Sequence, residues 1–267
     1  MITASFRHIS GVGPMRERQL WLAGVRSWDD VPEQGDIVAR RFDDKLRAGV
    51  IQSRARLLAG DVDHFAGRLG STEHWRLLPH VLEGAAYVDI EWAEGVAVVG
   101  VLDREGIRCF VRGRDLEGEL PARMKSWRAL VTFNGLAFDL PILRRAFPEW
   151  VPPAVHVDLK HVFQKLRMPG GLKKIEPRFC LFRPPHLARL SGTDAAFLWE
   201  AQRRGDPAAL RRLVEYNLYD VFHLRPLAEL GYNALVKRTG MPAPELPVTD
   251  RGAMLYDLSR AVLRAAP

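Results

Sequence analysis

Two acidic residues lie two positions apart at the end of an apolar run, in the segment Tyr87-Val-Asp-Ile-Glu91. If this run is a β-strand, alternation places the side chains of Asp89 and Glu91 on the same face. Two carboxylates on one buried face repel each other and lose their solvation, which is unfavourable unless a cation binds between them. The pair therefore predicts either a metal site or an exposed strand end that needs no metal.

A third acidic residue, Asp139, follows the apolar run at 130–133 and the turn signal Asn134-Gly135. It stands where a helix is expected to begin, and aspartate is a favourable helix N-cap. A carboxylate has several lone pairs, so capping and metal binding can coexist at this position.

A tyrosine and a fourth acidic residue share a strongly helical window, Leu213–Val221. Tyr216 and Asp220 are four residues apart, which places them one turn apart on the same helix face. An ordinary amphipathic helix with a tyrosine at the edge of the core explains this spacing equally well.

Taken in order, the three segments offer Asp-x-Glu, Asp and Tyr-x-x-x-Asp. Oxygen ligands of this kind suit hard divalent cations, and Mg²⁺ and Mn²⁺ fit carboxylates and water equally. Two such ions about 4 Å apart activate a water molecule and stabilise the leaving oxygen of a phosphodiester. The set therefore predicts a two-metal phosphodiesterase site.

The elements that position these residues change character near residue 80. Residues 1–80 have helical spacing of apolar positions at 16–23 and 37–58, which predicts a small helical N-terminal domain. Residues 81–240 predict an α/β domain, a mixed β-sheet flanked by helices. Residues 241–267 predict a proline-rich linker and a final helix. The predicted strands are 85–90, 96–102, 107–111, 130–133 and 154–157, and the later helices are 140–146, 159–166, 195–204, 208–230 and 252–266.

The three motifs resemble those of DEDD exonucleases, which have a ribonuclease H-like fold. They read Asp89-Ile-Glu91, Asn134-Gly-Leu-Ala-Phe-Asp139 and Tyr216-Asn-Leu-Tyr-Asp220. The tyrosine in the third motif is typical of the DEDDy subgroup. Within it, the chain is most similar to YprB-type ribonuclease H-like proteins and to the proofreading domain of family B DNA polymerases, over about residues 83–232.

This resemblance implies a 3′→5′ exonuclease that uses two divalent ions, Mg²⁺ or Mn²⁺. It makes Tyr216 the residue that orients the attacking water or helps to deprotonate it, and it places Asn134 near the substrate. The implied metal ligands are Asp89, Glu91, Asp139 and Asp220.

Two other positions bear on this resemblance. Many relatives continue the first motif with Thr-Thr-Gly, whereas this chain has Trp92-Ala-Glu-Gly95. Trp92 either stacks on a base, as aromatic residues do in single-strand binders, or packs at the rim of the core. Asp158 lies in a stretch that the related families also carry, but we expect it to cap a helix.

Basic residues form two clusters before the third motif. Lys173, Lys174 and Arg178 begin a run that continues through Arg183 and Arg189 and includes Phe179 and Phe182. The second cluster is Arg203, Arg204, Arg211 and Arg212. Either one can follow a phosphate backbone, or it can simply be a solvated helix face.

The N-terminal stretch at 6–25 resembles a helix–hairpin–helix element with Gly11-Val-Gly13 as its hairpin. Such a hairpin lets backbone N–H groups face a DNA phosphate, so Gly11 and Gly13 are candidate DNA-backbone contacts. The alternative is a module that only packs against the catalytic domain.

The composition fits a globular protein that contacts a polyanion. The formal net charge of the 267 residues is +7. The longest apolar stretch, 96–102, is too short to span a membrane, and no signal-peptide core is visible, so a cytoplasmic protein without membrane contact is expected. The two cysteines, Cys109 and Cys180, are expected to be reduced core thiols.

The sequence therefore predicts a metal-dependent 3′→5′ exonuclease acting on nucleic acid, with single-stranded DNA or DNA 3′ ends favoured over RNA. The lean toward DNA depends on the hairpin-like element alone. Two alternatives stay open: an RNA exonuclease with the same site, and a nucleic-acid-binding module without catalysis.

Overall fold

The computed structural model describes residues 2–266, in which helices surround one five-stranded sheet. The strands are β1 (Ala85–Trp92), β2 (Val96–Asp103), β3 (Gly106–Val111), β4 (Ala129–Thr132) and β5 (Val155–Asp158). The α-helices are α1 (Pro14–Leu22), α2 (Arg40–Leu58), α3 (Val62–Ala66), α4 (Leu78–Val81), α5 (Leu120–Met124), α6 (Asp139–Ala146), α7 (Leu159–Lys165), α8 (Leu172–Ile175), α9 (Pro185–Ala188), α10 (Gly192–Arg203), α11 (Pro207–Thr239) and α12 (Arg251–Ala265). Short 3₁₀ segments are Ile2–Ala4, Trp28–Asp30, Ser71–Leu77, Leu82–Gly84 and Glu176–Phe179.

The sheet is mixed, with the strand order β3-β2-β1-β4-β5. β1, β2 and β3 form an antiparallel meander, whereas β1, β4 and β5 run parallel. All five predicted strands are present, and the predicted α/β fold with a helix-flanked mixed sheet is confirmed. Because parallel strands end at the same edge, the segments that follow β1, β4 and β5 converge there.

The two faces of β1 belong to different parts of the core. Val88 and Ile90 pack in one hydrophobic cluster, and Ala85 and Tyr87 pack in another on the opposite face. Asp89 and Glu91 continue the row of Ala85 and Tyr87, as strand alternation predicts. This face is covered by α11.

Helix α11 is the longest element, with 33 residues. It begins at the cap Asp206, whose side chain accepts from the Ala208 N–H at 2.9 Å, and it ends at Gly240 in the left-handed conformation. The sequence predicted its end near residue 230. It continues to Thr239 because Leu235 and Val236 are buried in the core, although Pro226 removes one backbone donor inside the helix.

Within residues 2–266, no α-helix precedes the hairpin-like Gly11-Val-Gly13. In the described residues, only the 3₁₀ turn Ile2–Ala4 precedes Gly11, which has a φ of +87°. The Ser5 hydroxyl and the Phe6 N–H both donate to the buried Glu17 on α1, and this holds the segment across α1 instead of in a helix. The predicted domain boundaries near residues 80 and 240 remain predictions.

The two cysteines differ in their surroundings. Cys109 is buried, but Cys180 is exposed, so the prediction of two core thiols is wrong for Cys180. Cys180 ends the 3₁₀ segment Glu176–Phe179 in the left-handed conformation, which turns it out of the core. No helix within residues 2–266 has both the length and the apolar character needed to cross a bilayer.

Candidate metal centre

Four carboxylates meet at the edge where β1 ends. Oxygen atoms of Asp89, Glu91 and Asp220 lie within 4.8 Å of one another. Asp139 joins them, because its Oδ1 accepts from the backbone N–H of Ile90 between the two β1 carboxylates, at 3.1 Å. All four line one cleft with a volume of about 350 Å³. The fold thus brings together the three acidic segments that the sequence singled out.

The register of the parallel strands explains how Asp139 reaches this edge. Tyr87 pairs with Val131, so the loop after β4 runs beside the end of β1. Asn134 in this loop has a φ of +70°. A Cβ on Gly135 would lie 2.3 Å from the Thr132 hydroxyl, so only glycine allows the loop to fold this tightly.

Asp158, at the end of β5, holds this loop in place. Its carboxylate accepts from the N–H groups of Asn134 at 2.8 Å and Leu136 at 3.1 Å. It also accepts from the Lys160 N–H at 3.0 Å and caps α7, so the predicted capping role is confirmed. Asp158 therefore links the loop that carries Asp139 to the neighbouring strand.

Asp139 does not cap α6 as the alternative interpretation held. Phe138 is the N-cap residue, and Asp139 is the first residue within the helix. Its side chain turns back to β1 and accepts from the Ile90 N–H. The carboxylate is therefore directed at the cluster and leaves the N-terminus of α6 without a side-chain cap.

Burial raises the pKa values of all four carboxylates. Glu91, Asp139 and Asp220 are only 6%, 3% and 6% exposed. Burial raises the pKa of Asp139 to about 7, and it raises the pKa values of Asp220, Glu91 and Asp89 above their ordinary range, the last two further because of neighbouring carboxylates. An oxygen-only donor set with this excess of negative charge fits a hard divalent cation.

One arginine partly offsets this charge. The buried Arg183 guanidinium donates to Asp220 and also, in a two-pronged contact, to Glu176, with Nε 2.9 Å from Oε2. The His223 Nδ1 lies 2.8 Å from Oε1 of Glu176. Burial alone would raise the pKa of Glu176, but hydrogen bonds from His223 and Arg183 lower it.

The members of the basic run that contains Arg183 differ in their surroundings. Arg183 is buried, because the chain turns inward between α8 and α9 to reach Asp220. Lys174 and Arg178 are exposed, and neither is among the described residues that line the cleft. In the second cluster, Arg203 and Arg204 pair with Glu200 on their own helix. Most of these residues are thus solvated or paired within the chain.

Besides Arg183, Lys173 of this run also reaches the site. Its Nζ lies 4.3 Å from the centre of the Tyr216 ring and has no hydrogen-bond partner among the described residues. Burial and the nearby Arg183 lower the pKa of Lys173. Tyr216 lines the cleft one turn before Asp220, and burial and Asp220 raise its pKa.

Asn217 and Gly100 were missed by the sequence interpretation. The Asn217 amide donates to Asp89 Oδ2 at 2.9 Å. Gly100 on β2 pairs with Asp89, and a Cβ there would lie 2.2 Å from Asn217 Oδ1. Glycine therefore permits the close approach of α11 to the sheet that this hydrogen bond needs. The position of Asn217 within the third motif, beside Tyr216, was the available signal.

Two aromatic side chains form the rim of the cleft. Trp92 is 42% exposed and Phe138 is 44% exposed, and each is adjacent in sequence to a carboxylate of the cluster. A register shift between Glu91 and Trp92 turns the tryptophan outward. Asn134 also lines the cleft, and its side-chain oxygen accepts from Lys160 Nζ at 2.9 Å. Gly11 and Gly13 are not among the described residues that line this cleft.

The mixed sheet and the acidic cluster at its edge define an α/β protein with a candidate divalent-metal centre. A family profile described as RNase_H superfamily matches residues 86–232, more than half of the chain, so the chain belongs to the ribonuclease H superfamily. Searches among curated proteins and among solved structures find no match. Proteins of this superfamily are generally metal-dependent nucleases, and the acidic cluster therefore indicates a nuclease with a nucleic-acid substrate.

Proposed function

We propose that this protein is a 3′→5′ exonuclease of the DEDDy type, similar to YprB-type proteins, that uses two divalent cations. The observation that carries the proposal is the meeting of Asp89, Glu91, Asp139 and Asp220 in one cleft, with Tyr216 one helical turn from Asp220. Superfamily membership alone supports a nuclease, whereas the tyrosine supports this subtype.

The carboxylates would hold Mg²⁺ or Mn²⁺. When bound, two such ions activate a water molecule and stabilise the leaving oxygen of the phosphodiester. Tyr216 lines the cleft one turn before Asp220, and its hydroxyl would orient the attacking water or help to deprotonate it. The Lys173 ammonium lies against the Tyr216 ring and supplies positive charge beside the phosphate.

The rim of the cleft favours a single-stranded end as substrate. Trp92 and Phe138 expose their rings beside the carboxylates, and stacking on a base contributes about 1–3 kcal/mol in single-strand binders. A base inside a duplex is already stacked and offers no free face. We favour DNA over RNA as the substrate because of the hairpin-like sequence at 6–25. A cytoplasmic location remains an expectation from the sequence.

The test uses single-stranded DNA labelled at either the 5′ or the 3′ end, with Mg²⁺, Mn²⁺ or a chelator. We expect stepwise shortening of the 5′-labelled strand and immediate release of the 3′ label as a mononucleotide, only with metal. Asp89→Asn and Asp220→Asn should abolish this activity, while Glu105→Gln, in the exposed turn between β2 and β3, should not.

Each other outcome has a defined meaning. Faster digestion of a matched RNA strand would make the protein an RNA exonuclease with the same site. Binding of both strands without any cleavage, at every metal concentration, would favour the non-catalytic binding module. Full activity of both aspartate variants would refute the proposed site.

A further inference from the structure

A second cleft lies where α1 meets the end of α11. It has a volume of about 390 Å³. Four cationic residues, Arg18, Arg26, Lys237 and Arg238, line it together with the half-buried Trp21, and no carboxylate is among the described residues that line it. We name this feature the basic cleft. We infer that the basic cleft binds the phosphate backbone of a nucleic-acid strand whose end lies in the carboxylate cleft.

The charge of the basic cleft is only partly balanced. Lys237 pairs with Glu245 at 3.0 Å, and Arg26 lies near Asp30, but these carboxylates are exposed, and exposed pairs are weak. Arg18 and Arg238 have no carboxylate within ion-pair distance among the described residues. Both are solvent-exposed and can therefore turn toward a ligand.

The helix ends do not by themselves explain these cations. Cations near the last turn of a helix offset its partial negative charge of about half an elementary charge, and this accounts for Lys237 and Arg238 at the end of α11. Arg18 lies inside α1, before its last turn, and Arg26 lies beyond the end of α1. Two helix ends together offset about one charge, which is fewer than the four cations present.

The ring of Trp21 adds a second feature suited to a nucleic-acid strand. Its Nε1 donates to the Ala4 carbonyl at 3.0 Å, which fixes the indole at the wall of the cleft. A positively charged groove with an aromatic side chain is the usual combination in proteins that bind single strands without sequence preference. An acidic protein segment is the other occupant that these charges suit, and DNA binding that the substitutions leave unchanged would point to it.

Helix α11 sets the distance between the two clefts. Arg238 lies eighteen residues after Asp220 on the same helix, which corresponds to about 27 Å along its axis. At the duplex spacing of about 3.4 Å per nucleotide, a stacked strand needs about eight nucleotides to span this distance. The orientation of the strand in this inference rests on the proposed exonuclease function. The basic cleft gives the N-terminal region a role in substrate binding that does not depend on the Gly11–Gly13 hairpin.

The test measures binding of single-stranded DNA in the presence of chelator, so that cleavage plays no part. The double variant Arg18→Gln/Arg238→Gln is compared with Arg145→Gln/Arg264→Gln, which removes two exposed arginines outside the basic cleft. For a long oligonucleotide at physiological salt, we expect affinity to fall about tenfold in the first variant. The slope of log affinity against log salt should become shallower by about 1.4, while the control variant stays close to the native protein.

Oligonucleotide length supplies the second criterion. Without metal the carboxylate cluster repels a phosphate, so a four-nucleotide strand should bind at the basic cleft alone, and its affinity should fall in the basic-cleft variant. Equal losses in both double variants, an unchanged salt slope or an unchanged affinity for the short strand would overturn the inference. Because binding is measured without metal, absence of nuclease activity would refute the proposed function and leave this measurement valid.

Discussion

Two groups of buried charges in this molecule are arranged in opposite ways. In the paired cluster, formed by Glu17, Arg76, Glu73 and Lys165, every charge has an opposite charge beside it. Arg76 Nη2 lies 3.0 Å from Glu17, Arg76 Nε lies 2.7 Å from Glu73, and Lys165 Nζ lies 2.6 Å from Glu73. Glu17 also accepts from Ser5 and Phe6.

The carboxylate cluster, formed by Asp89, Glu91, Asp139 and Asp220, lacks such pairing. Its one ion-paired cation among the described residues, Arg183, is shared with Glu176. A fold that needed only stability would not retain this excess of like charge, because burial and repulsion both oppose it. Buried charge with partners therefore holds the chain together, whereas buried charge without partners in a cleft indicates a ligand of opposite charge.

The largest effect is expected from breaking the paired cluster. Arg76→Met leaves Glu17 buried without its counter-charge, so the free energy of unfolding should fall by about 3–5 kcal/mol. Urea denaturation measures this change. The matched control is Arg54→Met, whose ion pair with Asp29 is exposed and should contribute less than about 1 kcal/mol. Equal effects of the two substitutions would contradict the comparison.

A somewhat smaller effect is expected from Arg183→Met, and metal should reverse part of it. The substitution leaves Asp220 and Glu176 buried without their shared cation, so the unfolding free energy in chelator should fall by about 3 kcal/mol. Added Mn²⁺ should restore part of this stability, since it supplies positive charge at Asp220. In Arg76→Met, added Mn²⁺ should raise the unfolding free energy by no more than it does in the native protein. Denaturation of both variants, with and without Mn²⁺, tests this difference.

Much of the carboxylate cluster was predictable because its parts are local patterns. Asp89 and Glu91 share a face through strand alternation, and Tyr216 and Asp220 share one through helical spacing, so short segments contain the information. The strands were equally predictable, since the β-rich runs are separated by clear turns. The fold class followed from their order.

The partners of the cluster were not predictable, because they are distant in sequence. Arg183 reaches Asp220 across 37 positions, and Asn217 reaches Asp89 across 128. In the sequence, Arg183 is one more arginine in a basic run, and only the burial of its side chain separates it from Arg178. That residues 5–10 form no helix also depends on a tertiary contact, the one between Glu17 and Phe6.

The pH dependence of stability should reveal the unpaired carboxylates. The pKa of Asp139 is raised to about 7 in the folded protein, so its contribution is fully present below the unfolded value of 3.8 and is lost as the pH rises through about 7. In chelator, this group alone should lower the unfolding free energy by about 2–3 kcal/mol between pH 5 and pH 8.

Denaturation of the native protein and of Asp139→Asn at both pH values isolates this contribution from all other titrating groups. The difference between the two proteins should grow in favour of the variant as the pH rises. Mn²⁺ should stabilise the native protein more at pH 8 than at pH 5, because its ligands must be deprotonated. A difference in unfolding free energy that stays constant with pH would show that folding does not raise the pKa of Asp139.

The smallest change in stability, and the most direct test of the comparison, is expected from Asp89→Asn. This substitution removes one of four repelling charges but keeps an oxygen that can accept from Asn217. In chelator at neutral pH, the unfolding free energy should therefore rise by at least about 1 kcal/mol, the equivalent of one pKa unit. This change in unfolding free energy has the opposite sign to that of Arg76→Met, although each substitution removes one buried charge.

Nuclease activity of Asp89→Asn should fall by more than about 100-fold, since loss of an outer partner of a metal ligand already costs 10–100-fold. A variant that is both less stable and inactive would show that Asp89 is held by contacts within the chain, and the separation of buried charges into paired and unpaired groups would then fail at its central residue.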